Sequence, residues 1–488
     1  MSSWLPSEVL LQVIAWIPDA SSLYSFLQAL GTSVARGPLE SLWQLGATTS
    51  RLNDLWPSLV LTDAIFQDRE RLALVASALD CVSHIHVMGP ITRHWVCDVG
   101  WLHQHVGPRT TITWHAAFPS SSADAMVHGV VVALKDWFTL WAQLPITHVI
   151  VKNPNDTCDD DEVPFLREDV TPYLYVVLKD VKQLVSLHLN GRGCYADLTG
   201  SSCTCLVDML EAVVPLPTLK DLHMQSLWCG QSTALSTTQV HQAITSLWST
   251  KLRRLDVPNV SVDPAVTPAV RNAFFTALFS TIYEVHGYLW DLSTLNDATY
   301  FDLTLRKLSL DLAALTPSGL RCLARAVRQS TTLDTLCITN VYAMDDDKND
   351  DDVTPAFEAL FDAVGHANVK MLDVSGCGLG PSLWPTLGPL LQQTKLTCIS
   401  LANNDMQDDG ANWLGQAVQA NSGIAKIELG FNNITLDGVL ALVKSTPDGC
   451  NRYIWNGQSA KHEMARILAL NMGQPTNETG CAFHDSDY

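Results

Sequence analysis

The chain has 488 residues, 47 % hydrophobic and 16 % charged, the balance of a packed globular protein rather than a disordered one. Its 50 acidic against 30 basic residues give a net charge of -20, which excludes a phosphate backbone or an anionic membrane as the main ligand, because both require a basic face. No stretch reaches the roughly 18 uninterrupted apolar residues of a membrane span, and no basic segment precedes the apolar run near the start, so neither a membrane helix nor a signal peptide is expected.

In chain order, Leu5-Pro6-Ser7-Glu8-Val9-Leu10 opens a helix in which eight of the nine residues from Val9 to Ile17 are apolar. A helix hydrophobic on nearly all sides needs more than one surface to cover it. Pro18-Asp19 ends it, Ser21-Ser22 offers a cap for a second helix over Leu23 to Leu30, and Gly31 suits its C-terminus. From about Leu61 to Asp180 the pattern is weaker. Val82 to Met88, Thr110 to Trp114 and Thr147 to Lys152 read as strands, and Val127 to Leu144 reads as a helix.

From Leu184 onward a Leu-x-x-Leu-x-Leu pattern recurs, at Leu184, Leu219, Leu252, Leu305, Leu333, Val369, Leu396 and Ile424. The last three starts lie 27 and 28 residues apart, the period of a leucine-rich repeat. The gap between 252 and 305 is read as hiding a degenerate copy near Val285 to Leu292. Paired aliphatic positions such as Leu372 and Val374 point to one side of a short strand, and their neighbours face the other. Asn404 and Asn432, three residues after the last of these, are placed to bond backbone groups that a curved loop leaves unpaired. Between strands lie amphipathic helices at Ser318 to Gln329, Pro355 to Gly365, Asp408 to Gln419 and Leu436 to Lys444, with Thr316 and Asp408 as N-terminal caps. The acidic runs Asp159 to Glu162 and Asp345 to Asp352 are expected as solvated loops, and the polar tail from Met472 as mobile.

Helix-containing repeats of this length resemble the ribonuclease-inhibitor type of leucine-rich repeat, which implies an α/β solenoid with a parallel sheet on the concave face and helices outside. Leu5-Pro6 through Ile17-Pro18, then Ser22-Leu23 through Phe26 to Leu30, closing on Leu42-Trp43, resembles an F-box, a small three-helix module. Together these resemble the F-box/leucine-rich-repeat proteins. The resemblance implies a substrate receptor of a cullin-type ubiquitin ligase, in which the box docks a Skp-type adaptor and the repeats hold a target protein. Carried over by position, the adaptor contacts are Leu5, Pro6, Val9, Leu10, Val13, Ile17, Leu23, Phe26 and Trp43. The implied division is a box over 1–45, degenerate repeats or a connection over 46–180, the solenoid over 181–450, and a C-terminal cap and mobile tail over 451–488.

On the strand face away from the helices, His188, His223, Asp256, Ser309, Cys337, Asp373, Ser400 and Glu428 are the candidate protein-binding residues. The full set there mixes charge signs, which suits a protein or peptide recognised by shape and scattered hydrogen bonds. Thirteen cysteines, an odd number, point to a reduced intracellular protein, cytoplasmic or nuclear. His94, Cys97, His103 and His105, and likewise Cys194, Cys203 and Cys205, lack the paired spacing of a zinc site, and Gly376-Cys377-Gly378-Leu379-Gly380 lacks the spacing of a dinucleotide loop. No cofactor, metal or catalysis is expected. The alternatives to an adaptor-docking receptor are a stand-alone repeat scaffold or inhibitor whose N-terminal helices only cap the solenoid, and a small-GTPase regulator.

Overall fold

The computed structural model describes residues 6–49, 51–89, 98–116, 118–119, 121–151, 171–189, 206–224, 234–341, 353–445 and 453–454. Leu5, His94, Cys97, Cys194, Cys203, Cys205, both acidic runs and the polar tail lie outside that set. The chain divides into two units, Met1–Val266 with Thr281–Tyr283, and Thr267–Ser280 with Glu284–Tyr488. Neither the 45 nor the 180 boundary coincides with that division.

In the first unit the chain opens with helices α1 (Ser7–Ile14), α2 (Ala20–Leu30), α3 (Ser33–Arg36) and α4 (Glu40–Ala47). Four segments stand where the box resemblance implied three, because Gly31 at φ +77° and Gly37 at φ +51° turn the chain on either side of α3. Asp19, not Ser21 or Ser22, caps α2: its Oδ1 accepts from the Ser22 N–H at 2.8 Å. Leu10, Ile14, Leu23, Leu27, Leu39, Leu42 and Leu45 are buried together, each worth about 1.5–3 kcal/mol as apolar surface removed from water. Tyr24 donates its hydroxyl to the Leu42 carbonyl at 2.6 Å, and Arg36 reaches Glu40 at 2.6 Å while lying 4.7 Å above the Trp43 ring.

Seven parallel strands follow among the described residues of that unit: β1 (Leu59–Leu61), β2 (His84–Val87), β3 (Thr111–Trp114), β6 (Ile146–Val151), β7 (Ser186–Leu189), β8 (Asp221–His223) and β9 (Arg254–Pro258), with a separate antiparallel hairpin of β4 (Met126–Val127) and β5 (Val130–Val131). The ladder thus begins 125 residues before the first legible leucine pattern at Leu184, since 184 - 59 = 125. The helix expected over Val127 to Leu144 starts only at Leu134 and runs to Trp141. His128 and Gly129, at φ +51° and +75°, turn the preceding segment into the hairpin instead. Trp114, Trp137, Phe138 and Trp141 fill the space between sheet and helices here, with ring centroids 5.2–6.2 Å apart in edge-on pairs.

The second unit repeats the scheme with β10 (Glu284–Tyr288), β11 (Lys307–Asp311), β12 (Thr335–Thr339), β13 (Met371–Asp373), β14 (Cys398–Ser400), β15 (Lys426–Glu428) and β16 (Tyr453–Ile454), each parallel to the next. β10 is the copy concealed in the gap between 252 and 305. Burial alternates along β11 and β12, with Leu308, Leu310, Leu336 and Ile338 inside and their neighbours half-buried, as a period of two requires. Helices Pro317–Gln329, Val353–His366, Gln407–Ala420 and Leu436–Ser445 return the chain between strands. Thr316 caps the first of them, accepting from the Gly319 N–H at 3.1 Å. Asp408 does not cap its helix: its Oδ1 accepts from the Thr435 N–H of the next repeat at 2.7 Å, tying two turns together.

Asparagines stitch the loops. The Asn404 side chain, 1 % exposed, accepts from the Cys377 and Leu379 N–H groups at 2.9 and 3.1 Å and donates to the Val374 and Leu401 carbonyls. Asn432 does the same one repeat on, accepting from Asn404 and Met406 N–H at 3.1 and 3.2 Å. A tight turn leaves these groups without strand partners, and one amide side chain supplies both donor and acceptor. Cys377 stands at the equivalent place one repeat earlier, where its thiol donates to the Ile338 carbonyl at 3.0 Å.

Candidate functional site

Parallel register gathers the sequence-predicted face residues into rows. In the second unit Ser309, Cys337, Asp373, Ser400 and Glu428 are consecutive partners across five strands. Hydroxyls join part of the row: Asp373 accepts from the Ser375 hydroxyl at 2.6 Å, Ser375 meets Ser400 at 2.9 Å, and Ser400 donates to Glu428 at 3.4 Å. Beside it Asp311 accepts from Thr339 at 2.7 Å and Asn340 at 2.9 Å. Burial raises the Asp373 carboxyl above its ordinary value despite those hydrogen bonds, and pushes the Cys337 thiol up to about 12. Such a row offers fixed acceptors, and the Cys337 thiol in it stays protonated at neutral pH.

In the first unit His188, His223 and Asp256 also form one row. His223 and Asp256 are only 3 % and 4 % exposed and lie 2.7 Å apart, Nδ1 to Oδ2, with the oxygen off the line of the ring N–H, so the contact is electrostatic more than a directed hydrogen bond. His188 packs its ring 5.0 Å from that of His223. His223, Asp256 and Ser400 are thus closed to solvent, whereas His188 is half-buried.

The same face carries four residues that the leucine pattern missed. His84, His86, His115 and His148 are half-buried on β2, just after β3, and on β6. Both ring nitrogens of His84 meet threonine hydroxyls, Thr111 at 2.7 Å and Thr113 at 2.9 Å, and His86 Nδ1 lies 3.1 Å from His115 Nε2. Burial holds His84, His86 and His148 below the ordinary histidine value, and the neighbouring imidazoles add to this for His84 and His86. The signal was present in the alternation His84-Ile85-His86-Val87, whose outward positions are all imidazole. Among the described residues no three metal-ligating side chains converge, and no helix is long and apolar enough to cross a membrane.

Of the nine positions implied for adaptor contact, Leu5 lies outside the described residues and the other eight separate into two groups. Leu10 and Leu23 are buried in the module's own core, whereas Pro6 is exposed, Val9 is 36 % exposed, and Val13, Ile17, Phe26 and Trp43 are half-buried. Trp16, 88 % exposed, and Val34, 81 % exposed, were not among the nine. Val9 and Val13 stand one turn apart on α1, and Trp16 follows in the turn after its end, its N–H donating to the Val13 carbonyl. Elsewhere the module is engaged by the chain that follows: α4 packs on helix Arg69–Ala78, Cys81 donates to the Pro38 carbonyl at 3.3 Å, and the Trp56 indole N–H donates to the Ile17 carbonyl at 2.7 Å.

A family model described as Leucine Rich repeat matches residues 392–412, the stretch that holds β14 and the buried Asn404. The chain thus carries a leucine-rich repeat at that stretch. Comparison with curated proteins returned no match. Among solved structures, the repeat protein is similar to a leucine-rich-repeat protein of Leptospira interrogans, at 13 % identity over 79 % of this chain and 98 % of that one, with a TM-score of 0.32. It is also similar to a Bacteroides fragilis protein, at 12 % identity over 78 % of this chain and 66 % of that one, with a TM-score of 0.23. The repeat architecture rests on the parallel strands and the asparagine bonds, not on those superpositions.

Proposed function

We propose that this repeat protein is a non-catalytic, protein-binding receptor of a cullin-type ubiquitin ligase, whose strand face holds a target while the N-terminal helices dock a Skp-type adaptor. The observation that carries the reading is a pair of large apolar side chains left open on the N-terminal module, Trp16 at 88 % and Val34 at 81 % exposure. An exposed tryptophan just past a helix end is the composition of a protein interface, where aromatic anchors supply most of the binding energy once buried. The test is co-purification with a Skp-type adaptor at neutral pH. Intact protein is expected to retain the adaptor, and a Val9→Asp/Trp16→Glu variant to lose it while melting unchanged, because both side chains lie outside the core. Folded, unaltered protein that retains no adaptor overturns the reading.

One observation favours a second reading, a stand-alone scaffold or inhibitor. The α4 segment covers the first repeat helix, as a terminal cap does in a solenoid. On that reading removal of residues 1–45 exposes the repeat edge and the remainder aggregates. A truncated protein that stays monomeric and melts as cooperatively as the whole removes the capping role.

A further inference from the structure

Five half-buried imidazoles, His84, His86, His115, His148 and His188, share the strand face of the first unit across β2, β3, β6 and β7. At about 4.8 Å per strand spacing they span roughly 15 Å. The other described groups on that face are Val60 of β1, Thr111 and Thr113 of β3, Thr147 and Ile150 of β6, Ser186 of β7, Asp221 and His223 of β8, and Arg254 and Asp256 of β9. Asp256 is drawn against the buried His223, and Asp221 and Arg254 are register partners of opposite sign. Fixed charge on the accessible surface therefore nearly cancels. Protonation adds up to five positive charges to a patch of a chain whose net charge is -20.

The neutral state is built into the hydrogen bonding. The 3.1 Å His86–His115 contact needs one ring N–H and one bare nitrogen, so charging both rings turns an attraction into a repulsion. Burial likewise favours the neutral rings of His84, His86 and His148. An anion laid across the face reverses that preference, because it stabilises each imidazolium it meets. Binding then takes up protons, and each proton taken up makes affinity change by up to tenfold per pH unit.

We infer that this histidine face is a docking surface for an acidic segment of a protein partner, weak at neutral pH and engaged on mild acidification. Charge complementarity selects the occupant. The patch accommodates about four or five extended residues at roughly 3.3 Å each, which suits a short carboxylate-rich peptide. A nucleic acid strand longer than the patch would run onto the acidic remainder of the chain and be repelled. The inference rests on the strand face being the target-binding surface and is independent of adaptor docking.

The experiment uses the full chain and a fluorescent penta-glutamate peptide, with penta-glutamine as the uncharged control, followed by anisotropy at pH 5.5 and 7.5 in low salt. Saturable binding of the glutamate peptide at pH 5.5, at least tenfold tighter than at pH 7.5 and absent for the glutamine peptide, is the expected result. A His86→Gln/His148→Gln/His188→Gln variant is expected to lose at least tenfold at pH 5.5. Equal affinity at the two pH values, equal affinity of the variant, or no binding at pH 5.5 by protein that still melts cooperatively there overturns the inference. Should the variant fail to fold, calorimetry of the unaltered protein in two buffers of different ionisation enthalpy decides the matter: uptake of at least one proton supports the proposal, and none sinks it. Adaptor co-purification by the same variant at neutral pH is expected to persist, so loss of one activity is separable from loss of the other.

Discussion

Replacing Asn432 by alanine tests whether the asparagine bonds, rather than aliphatic burial alone, hold the repeats in register. The side chain is 2 % exposed. It accepts from the Asn404 and Met406 N–H groups and donates to the Leu401 and Leu429 carbonyls at 2.7 and 3.0 Å. Truncation leaves two buried N–H groups without an acceptor at about 1–3 kcal/mol each. The sum is roughly 2–6 kcal/mol, and water entering the vacated space brings the expectation to about 3 kcal/mol. Because Asn404 is itself held by Asn432, the loss spreads to the neighbouring repeat, as nearest-neighbour coupling in a solenoid requires. Urea unfolding followed by tryptophan fluorescence measures it. Trp384, buried with its indole N–H on the Leu379 carbonyl at 3.0 Å, reports on this region. With a slope of about 1–3 kcal/mol per molar urea the midpoint moves by roughly 1 M or more. Asn412→Ala, on the exposed side of helix Gln407–Ala420, is the control and is expected within about 0.5 kcal/mol of the unaltered protein. A loss below about 1 kcal/mol for Asn432→Ala would refute the argument that the amide is needed to satisfy these turns.

Two further outcomes follow from the buried titratable groups. His84, His86 and His148 sit below the ordinary histidine value of about 6.5 when folded, so between that value and their folded ones the unfolded chain binds more protons. Their contribution to stability is full above pH 6.5 and is lost as pH falls through it. The urea midpoint of the first unit is expected to drop from pH 7.5 to 5.5, less steeply in a His84→Gln/His86→Gln/His148→Gln variant; parallel slopes for the two proteins contradict this. Burial pushes the Cys337 and Cys377 thiols up to about 12, which at pH 8 leaves roughly a thousandfold less thiolate than at an unperturbed cysteine. Iodoacetamide is expected to spare both in the native protein and to label them after denaturation, as read by peptide mass spectrometry. Native labelling within tenfold of the denatured rate contradicts the assignment.

How much was legible depended on where the physics is local. Strand positions in the later repeats follow from a period of two within a period near twenty-eight, and the aliphatic pairs Leu372/Val374 and Ile399/Leu401 are all buried where that spacing puts them. Asn404 and Asn432 were readable for the same reason, since a turn that leaves backbone groups unpaired calls for a side chain with both donor and acceptor at a set distance along the chain. The early repeats were harder. Their inward positions are filled by Trp114, Ile112, Val149 and Val151 rather than leucine, so the interior is still apolar while the letter pattern dissolves.

Sequence alone therefore determined the repeat class, the strand faces and the apolar character of the opening helices, all of which depend on near neighbours in the chain. Tertiary structure alone decided that Leu10 and Leu23 turn inward while Trp16 stays uncovered, because helix packing selects the buried stripe of a helix apolar on most sides. It also decided that His86 and His115, twenty-nine residues apart, share a hydrogen bond, and that His223 is closed against Asp256. Register between parallel strands is set by contacts across connections of twenty to forty residues. No local pattern encodes which imidazole will meet which neighbour.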